Sequence, residues 1–203
     1  MKNCAIAVFS KPPLAGQTKT RLIPALGAQK AAALHLTLLE HSLHTAKASG
    51  ATVCLWVTEA IDHPIFKRLS RLHGCSLALQ QGTQLGQRMQ HALQQHLSQH
   101  EKALLIGSDC AVHSAAKLQQ AAAALDQHDM VFTPVEDGGY VLVGARKIDP
   151  AAFNNIDWGS SQVMTQTRQN LNQTSPHSWA EMPTLWDIDR PNDVQRAQAL
   201  GLI

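Results

Sequence analysis

The most informative part of the sequence is Cys4-Ala-Ile-Ala-Val-Phe-Ser-Lys-Pro-Pro-Leu-Ala-Gly-Gln-Thr-Lys-Thr-Arg-Leu22. Its first part, Cys4–Phe9, is an apolar run with the length of a buried β-strand. The remainder is a loop rich in Pro and Gly that leads into a helical pattern. Gly16 lets the backbone of such a loop approach a ligand closely, and free N–H groups at a helix start attract anions. The stretch therefore predicts a strand, loop and helix that together bind phosphate.

The cations of this loop are Lys11, Lys19 and Arg21. Ammonium and guanidinium groups form charge-assisted hydrogen bonds with the oxygens of a di- or triphosphate. The alternative interpretation is an ordinary surface turn with solvated cations. Aspartates further along the chain favour the phosphate site, because they would complete it with a metal ion.

The composition is that of one packed globular domain, and we expect residues 1–203 to form a single domain. The chain has 203 residues, of which 44% are hydrophobic and 16% are charged, which argues against disorder. The net charge is only +2 and aromatic residues make up 4%. Neither a strong basic patch nor a base-stacking surface is expected, so nucleic acid is excluded as a partner.

The sequence also predicts a cytoplasmic protein without a membrane span. The first apolar run, of about six residues, is shorter than the ~7–15 residues of a signal-peptide core. No segment approaches the ~20 apolar residues that a spanning helix needs. The four cysteines form no C-x-x-C pair, which indicates free buried thiols in a reducing compartment.

Strand-like and helix-like segments alternate along the chain, which predicts a parallel α/β sheet covered by helices on both faces. A turn between two strands is the simplest interpretation of Asp137-Gly138-Gly139. The predicted strands are 4–9, 52–57, 76–79, 103–107, 130–134, 140–144 and 184–186, and the predicted helices are 28–48, 64–72, 87–97, 115–125, 160–172 and 191–199.

Aspartates follow two of the predicted strands. Ser108-Asp109 comes directly after the strand that ends at Gly107, and Asp187-Ile188-Asp189 follows Trp186. Each aspartate alone would be read as a cap for the next turn. With the cationic loop at the same edge of the sheet, however, they suit Mg²⁺ or Mn²⁺, which bind one or two carboxylates together with phosphate oxygens. We predict Asp109 as the first metal ligand and Asp189 as the second, since strand alternation would turn Asp187 away.

Three common motifs are absent from the sequence. The P-loop pattern fails because Thr18 and Pro13 stand where it requires glycine. No G-x-G-x-x-G follows the first strand, which argues against NAD or FAD. No G-x-S-x-G nucleophile elbow occurs either.

The chain resembles the nucleotide-diphospho-sugar transferase superfamily, which has the glycosyltransferase-A fold. Within it, the chain is similar to a family of small bacterial proteins labelled glycosyltransferases, whose substrates are unassigned. Two segments, Lys19-Thr-Arg-Leu22 and the region from Asp187 to Asp193, also resemble the phospholactate guanylyltransferase family. The motifs that carry the resemblance are Phe9-Ser-Lys-Pro-Pro-Leu-Ala-Gly16, Lys19-Thr-Arg-Leu22, Leu85-Gly-Gln-Arg-Met89, Gly107-Ser-Asp-Cys110, Glu136-Asp-Gly-Gly-Tyr140, Ile156-Asp-Trp158 and Asp187-Ile-Asp189 with Pro191 and Asp193.

The resemblance implies a three-layer α/β/α Rossmann-like sheet and a role for each motif. Lys19 and Arg21 would clamp the leaving phosphates, Asp109 and Asp189 would hold the metal, and Asp137 would orient or deprotonate an acceptor. The segment 80–89 would lie near the base and ribose. The residues then expected to bind the nucleotide are Ser10, Lys11, Pro12, Gly16, Lys19, Arg21, Gly82, Gly86, Arg88 and Ser108.

The chain departs from the family pattern at two positions. Ala111 follows Cys110 where the family has Pro, and Gln84 precedes Leu85 where the family usually has Asp. The first departure loosens the expected loop behind Asp109. The second alters a position at which relatives carry a carboxylate.

Three functions remain open from the sequence. Glycosyl transfer from a nucleotide sugar leads, on the family's usual label. Nucleotidyl transfer with release of pyrophosphate is the second, and a nucleotide-binding module without turnover is the third, motivated by Gln84 and Ala111. The sequence leaves open the base, the sugar, the small-molecule acceptor, and whether the chain forms a homodimer.

Overall fold

The computed structural model describes residues 1, 3–174 and 176–203. Within these ranges a single mixed sheet runs in the order β3-β2-β1-β4-β6-β5-β7. Its strands are β1 (Cys4–Ser10), β2 (Thr52–Val57), β3 (Ser76–Leu79), β4 (Lys102–Gly107), β5 (Met130–Pro134), β6 (Tyr140–Ala145) and β7 (Trp179–Glu181). The α-helices are α1 (Ile23–Leu26), α2 (Ala28–Ala48), α3 (Pro64–His73), α4 (Leu85–Leu97), α5 (Ala115–Ala124), α6 (Val163–Thr174) and α7 (Pro191–Ala199).

Helices cover both faces of the sheet, which confirms the three-layer α/β/α prediction. The central strand β1 is buried along its whole length and alternates between the two layers. Ile6 and Val8 pack with α2, α3 and α5, whereas Ala7 and Phe9 pack with α4 and α6. The pattern of a strand buried on both faces is therefore what the apolar run at residues 4–9 encodes.

The sheet is not wholly parallel, contrary to the sequence-based prediction. Strand β6 runs antiparallel to both β4 and β5. The reason lies in the connection from β5 to β6, because residues 135–139 are too few for the crossover that parallel strands require. Gly139 O accepts a hydrogen bond from Val135 N at 3.1 Å, which closes the hairpin. The turn interpretation of Asp137-Gly138-Gly139 is thus confirmed.

The predicted strand at 184–186 is wrong. The last strand is β7, which pairs in parallel with β5, and the predicted segment keeps only an isolated bridge between Val135 and Leu185. Pro183 explains the break, because proline has no N–H to continue the ladder. Strand pairing therefore stops before Trp186, and the segment that carries Asp187 and Asp189 is a loop.

A smaller apolar cluster anchors that loop to the rest of the molecule. Trp186 and Ile188 are buried against Leu22 from the first loop and Ala111 from the segment after β4. Val194 of α7 belongs to the same cluster. Three segments from the start, middle and end of the chain are therefore packed together at one edge of the sheet.

Two further sequence predictions have structural outcomes. The four cysteines are free and buried, as expected, and they are Cys4, Cys54, Cys75 and Cys110. Of the helices in residues 1, 3–174 and 176–203, none has the length and apolar character needed to cross a membrane.

Candidate functional site

A cavity of about 430 Å³ opens at the carboxyl ends of β1 and β4. These neighbouring strands form the switch point of the sheet, because the chain leaves β1 toward β2 and β3 on one side, while β4 lies on the other. Ligands of open α/β sheets bind at such points. The lining residues are Phe9, Ser10, Lys11, Gln17, Thr18, Lys19, Thr20, Arg21, His35, Thr58, Gln80, Leu85, Arg88, Gly107, Ser108, Asp109 and Asp189.

The first loop reaches the cavity because its sequence ends the strand abruptly. Pro12 and Pro13 have no N–H groups, so they cannot extend the β1 ladder. The next turn closes on Leu14, whose carbonyl accepts hydrogen bonds from Gln17 N at 3.1 Å and Thr18 N at 3.2 Å. This turn returns the chain toward the sheet and places Lys19 at the cavity wall.

Lys19 joins three distant segments at the base of the cavity. Its Nζ lies 2.9 Å from Asp109 Oδ1, and its side chain is only 3% exposed. The same ammonium group donates to the carbonyl of Ile188. The backbone of Lys19 is left-handed, with φ of 50°, a conformation uncommon outside glycine. Lys19 is thus held in place by both partners, and the cation of the first loop lies against Asp109.

Asp109 remains a carboxylate over the whole physiological pH range. Its Oδ1 lies 2.9 Å from Lys19 Nζ, 3.7 Å from His35 Nδ1 and 3.5 Å from the Ser108 hydroxyl. Burial favours the neutral acid, but the charge of Lys19 and the contact with His35 outweigh it and lower the pKa of Asp109 to about 2. The side chain is 43% exposed, so an ionised carboxylate is accessible to a ligand.

Arg21 and Asp189 form the second ion pair of the cavity. The guanidinium Nη1 of Arg21 donates to Asp189 Oδ2, and this contact, with the charge of Asp189, raises the pKa of Arg21. Asp193 fixes the backbone beside it, since its carboxylate accepts from Asp189 N at 3.1 Å and Arg190 N at 2.6 Å. The Arg21 side chain is 60% exposed. Unlike Lys19, it can therefore reach a ligand without leaving a buried position.

Asp187 has the opposite electrostatic environment from Asp109. Burial raises its pKa most, and the negative charges of Asp137 and Asp109 add to the effect, so that the pKa reaches about 6. Asp187 is not among the lining residues of the cavity, whereas Asp189 is. The choice of Asp189 as the predicted ligand thus agrees with its position, although the strand-alternation argument for it fails because no strand forms there.

Other predicted residues divide between the cavity and its surroundings. Ser10, Lys11, Arg88 and Ser108 line the cavity itself. Pro12 lines an adjoining cavity of about 340 Å³, which shares Lys11 and Arg88 with the first. Sequence reasoning therefore placed most of the cationic and strand-end residues at one site.

Four predicted residues are not part of the lining, and three of them have a clear local contact. A Cβ on Gly86 would lie 2.7 Å from Trp158 Cζ2, so this glycine permits close packing. Gly82 O accepts a hydrogen bond from Arg88 Nε at 2.8 Å, which orients a lining cation. Asp137 Oδ1 accepts from Gly139 N at 3.0 Å within the hairpin turn. Gly16 is exposed with φ of +85°. Their nucleotide or catalytic roles stay predictions.

Gln80 and His35 also line the cavity, and neither was among the residues predicted individually, although Gln80 begins the segment 80–89 that was expected near the base and ribose. Gln80 follows β3, and its Nε2 donates to Trp56 O at 3.0 Å, which fixes the amide at the cavity wall. Its position directly after a predicted strand was the available signal. His35 lies inside the long helix α2 and contacts Ser10, Lys11 and Asp109. A histidine within a helical pattern gives no such signal.

The carboxylates suit a metal that a substrate helps to bind. Among the described residues, no cluster of three or more His, Cys, Asp or Glu side chains has the geometry of a metal site. Mg²⁺ commonly takes only one or two carboxylates and completes its shell with phosphate oxygens and water. Asp109 and Asp189, both at the cavity wall, therefore fit a metal that arrives with a phosphate ligand.

Comparisons with known proteins identify the family and the fold of the chain. A family model described as "Uncharacterized protein conserved in bacteria (DUF2064)" matches residues 39–160, and the chain belongs to this family. No curated protein matches the sequence. A crystal structure from Desulfovibrio desulfuricans G20, described as a "putative nucleotide-diphospho-sugar transferase", is 28% identical, with a TM-score of 0.85 over 94% of this chain and 84% of that one.

Two more distant structures share the fold. A structure from Methanothermobacter thermautotroptrophicus, described as a nucleotidyl transferase, is 9% identical, with a TM-score of 0.68 over 100% of this chain and 99% of that one. The Rv0371C protein of Mycobacterium tuberculosis H37Rv, in complex with manganese, is 14% identical, with a TM-score of 0.53 over 96% and 97% of the two chains. The chain therefore has the nucleotide-diphospho-sugar transferase fold that its motifs imply.

The raised pKa of Asp187 gives a prediction for stability. Its pKa is about 6 in the folded protein against a usual value of 3.8, so the folded state loses stability as the pH rises through this interval. Asp187→Asn removes the charge. We expect the variant to melt at a higher temperature than the wild type at pH 8 in EDTA, with a smaller difference at pH 4, as measured by differential scanning calorimetry.

Asp157→Asn is the matched control for this experiment. Asp157 is exposed and has no ion pair among the described residues, so its replacement should give no pH-dependent gain. Equal gains for both variants, or a gain for Asp187→Asn that is larger at pH 4, would contradict the electrostatic explanation.

Proposed function

We propose that this member of the DUF2064 family is a metal-dependent transferase that uses a nucleotide-sugar donor and transfers the glycosyl group to a small acceptor. The observation that carries the proposal is the convergence of four cationic side chains and two carboxylates in one cavity at the switch point of the sheet. These residues are Lys11, Lys19, Arg21, Arg88, Asp109 and Asp189.

The exposed cations of the cavity are suited to the phosphates of the donor. Lys11 and Arg21 are exposed, and Arg88 is oriented by the carbonyl of Gly82. Arg21 would exchange its partner Asp189 for a phosphate oxygen, and bidentate binding of phosphate by a guanidinium is strong. Lys19, whose side chain is buried between Asp109 and Ile188, would act mainly by its charge and by fixing the wall.

The carboxylates of Asp109 and Asp189 would hold the metal. The low pKa of Asp109 keeps it ionised and ready to bind a cation. The manganese complex of the Mycobacterium tuberculosis protein is consistent with a metal in this fold. When bound with a diphosphate, Mg²⁺ or Mn²⁺ neutralises the negative charge that develops on the leaving phosphate.

In the proposed reaction, an acceptor hydroxyl attacks the anomeric carbon of the sugar. The bond between that carbon and the phosphate oxygen breaks, and the nucleoside diphosphate leaves with the electron pair. Arg21 and Lys11 would stabilise this anion by hydrogen bonds that strengthen as its charge grows. Asp137 would accept the acceptor's proton. Its charge acts on both Arg21 and Asp187, which supports a position beside the cavity.

Nucleotidyl transfer is the second candidate, and the number of cations favours it. Four cationic side chains at one wall match the charge of a nucleoside triphosphate better than that of a nucleotide sugar. In this reaction an acceptor phosphate or alcohol attacks the α-phosphorus and pyrophosphate leaves. The same residues would stabilise either leaving group.

The released product distinguishes the candidates. We expect the purified protein, incubated with Mg²⁺, an acceptor mixture and each of several nucleotide sugars, to release a nucleoside diphosphate. Parallel incubations contain nucleoside triphosphates in place of the nucleotide sugars. Coupled assays measure nucleoside diphosphate and pyrophosphate in every incubation. Pyrophosphate from a triphosphate alone would establish the second candidate. Nucleotide binding without either product would instead identify a binding module.

Asp109→Asn tests the metal site. The substitution removes a charged ligand, so the gain in nucleotide affinity on adding Mg²⁺ should fall by about tenfold or ~1.4 kcal/mol. Isothermal titration with and without EDTA measures this gain as a ratio for each protein. Because the variant also deprives buried Lys19 of its partner, we expect a lower melting temperature, which is recorded separately.

Asp62→Asn is the control for charge loss. Asp62 is an exposed residue outside the cavity lining that pairs with Lys67, and surface pairs of this kind contribute little to stability. Its metal-dependent gain should equal that of the wild type. An unchanged gain in Asp109→Asn would remove Asp109 from the metal site.

A further inference from the structure

His35 lies between the ends of β1 and β4, on the inner side of the cavity wall. It is buried and projects from α2. Its Nε2 lies 3.0 Å from Lys11 O and 3.1 Å from Ser10 Oγ. Its Nδ1 lies 3.7 Å from Asp109 Oδ1. One imidazole ring thus touches both the first loop and the predicted metal ligand.

The contacts of the two ring nitrogens determine their hydrogen-bonding roles. The carbonyl oxygen of Lys11 and the ionised carboxylate of Asp109 can only accept, so both ring nitrogens face these oxygens as donors. Ser10 Oγ donates to the same carbonyl at 3.0 Å. The hydroxyl therefore has no free base to accept its proton, and this Ser-His-Asp set cannot work as a hydrolytic triad. The contacts of His35 must therefore serve something other than hydrolysis.

The contacts of Asp109 indicate that purpose. Lys19 Nζ, His35 Nδ1 and Ser108 Oγ all approach the same oxygen, Oδ1. Among the described contacts, Oδ2 is then the oxygen left for a ligand. A ring fixed through Nε2 holds its other nitrogen at a set position, as the outer partners of metal ligands commonly do.

We propose that His35 is a positioning residue, which orients Asp109 for the metal through Nδ1 and fixes the phosphate loop at the carbonyl of Lys11 through Nε2. The inference rests on the proposed function, because it assigns His35 a role toward the same metal–phosphate ligand. It predicts that the two ring nitrogens serve separate parts of binding: Nδ1 serves the metal-dependent part and Nε2 serves the metal-independent part.

Two substitutions separate the two nitrogens. In Asn the amide nitrogen takes roughly the place of Nδ1, and in Gln that of Nε2. His35→Asn should keep the metal-dependent gain in affinity but weaken binding in EDTA. His35→Gln should keep binding in EDTA but lose about tenfold of the metal-dependent gain, the lower end of the effect of outer-shell partners. Isothermal titration of inorganic pyrophosphate, the unit shared by all the candidate donors and leaving groups, measures both quantities with Mn²⁺ and with EDTA.

Exposed His44, on the same helix, supplies matched controls. His44→Asn and His44→Gln carry the same change in helix propensity and should bind pyrophosphate as the wild type does. Circular dichroism melting of all four variants checks the fold.

The possible failures are distinguishable. Equal binding by the wild type and both His35 variants would overturn the role of His35 and leave the proposed function standing. If both His35 variants lose both the metal-dependent gain and the affinity in EDTA, and melt at a lower temperature, the positioning role of His35 is overturned in favour of a purely structural one. A wild type that binds no pyrophosphate under either condition would overturn the proposed function, and the inference with it.

Discussion

The ion pair between Lys19 and Asp109 sets the geometry of the candidate site. The Lys19 side chain is almost wholly buried, and an ammonium group in such a position is tolerated only when it is paired and hydrogen-bonded. Asp109 supplies the charge and the carbonyl of Ile188 supplies a further acceptor. One nitrogen atom therefore holds the first loop, the end of β4 and the segment before α7 in contact.

This constraint separates two cations that are close in sequence. Lys19 is fixed, so its charge is a permanent part of the cavity wall and lowers the pKa of Asp109. Arg21 has an exposed side chain whose partner, Asp189, lies at the edge of the cavity. Exchange of a carboxylate for a phosphate has a small cost for an exposed guanidinium, because both states are solvated. Lys19 and Arg21, only two positions apart, therefore provide a fixed charge in the cavity wall and a mobile charge near its opening.

The sequence predicted those parts of the site that depend on local pattern. The apolar run before Lys11 and the strand before Asp109 identified two strand ends, and parallel strands bring such ends to one edge. The direction of β6 and the loss of the strand before Asp187 depended instead on loop length and on Pro183. His35 could not be found, because its role arises from the packing of α2 across two strand ends, and helical periodicity records only which face is buried.

Backbone hydrogen bonds add to the side-chain contacts that hold the acidic segments together. Ile188 N donates to Asp109 O at 2.9 Å, and Glu136 N donates to Leu185 O at 3.2 Å, so the loops that carry Asp109, Asp137 and Asp187 are tied to one another. Burial raises the pKa of Asp187 most, and repulsion from the neighbouring carboxylates raises it further. Backbone bonds do not depend on charge and can therefore maintain this arrangement. A cluster of carboxylates kept close in this way attracts cations, which supports the proposal of a divalent ion that a phosphate ligand brings to a cavity already containing lysine and arginine.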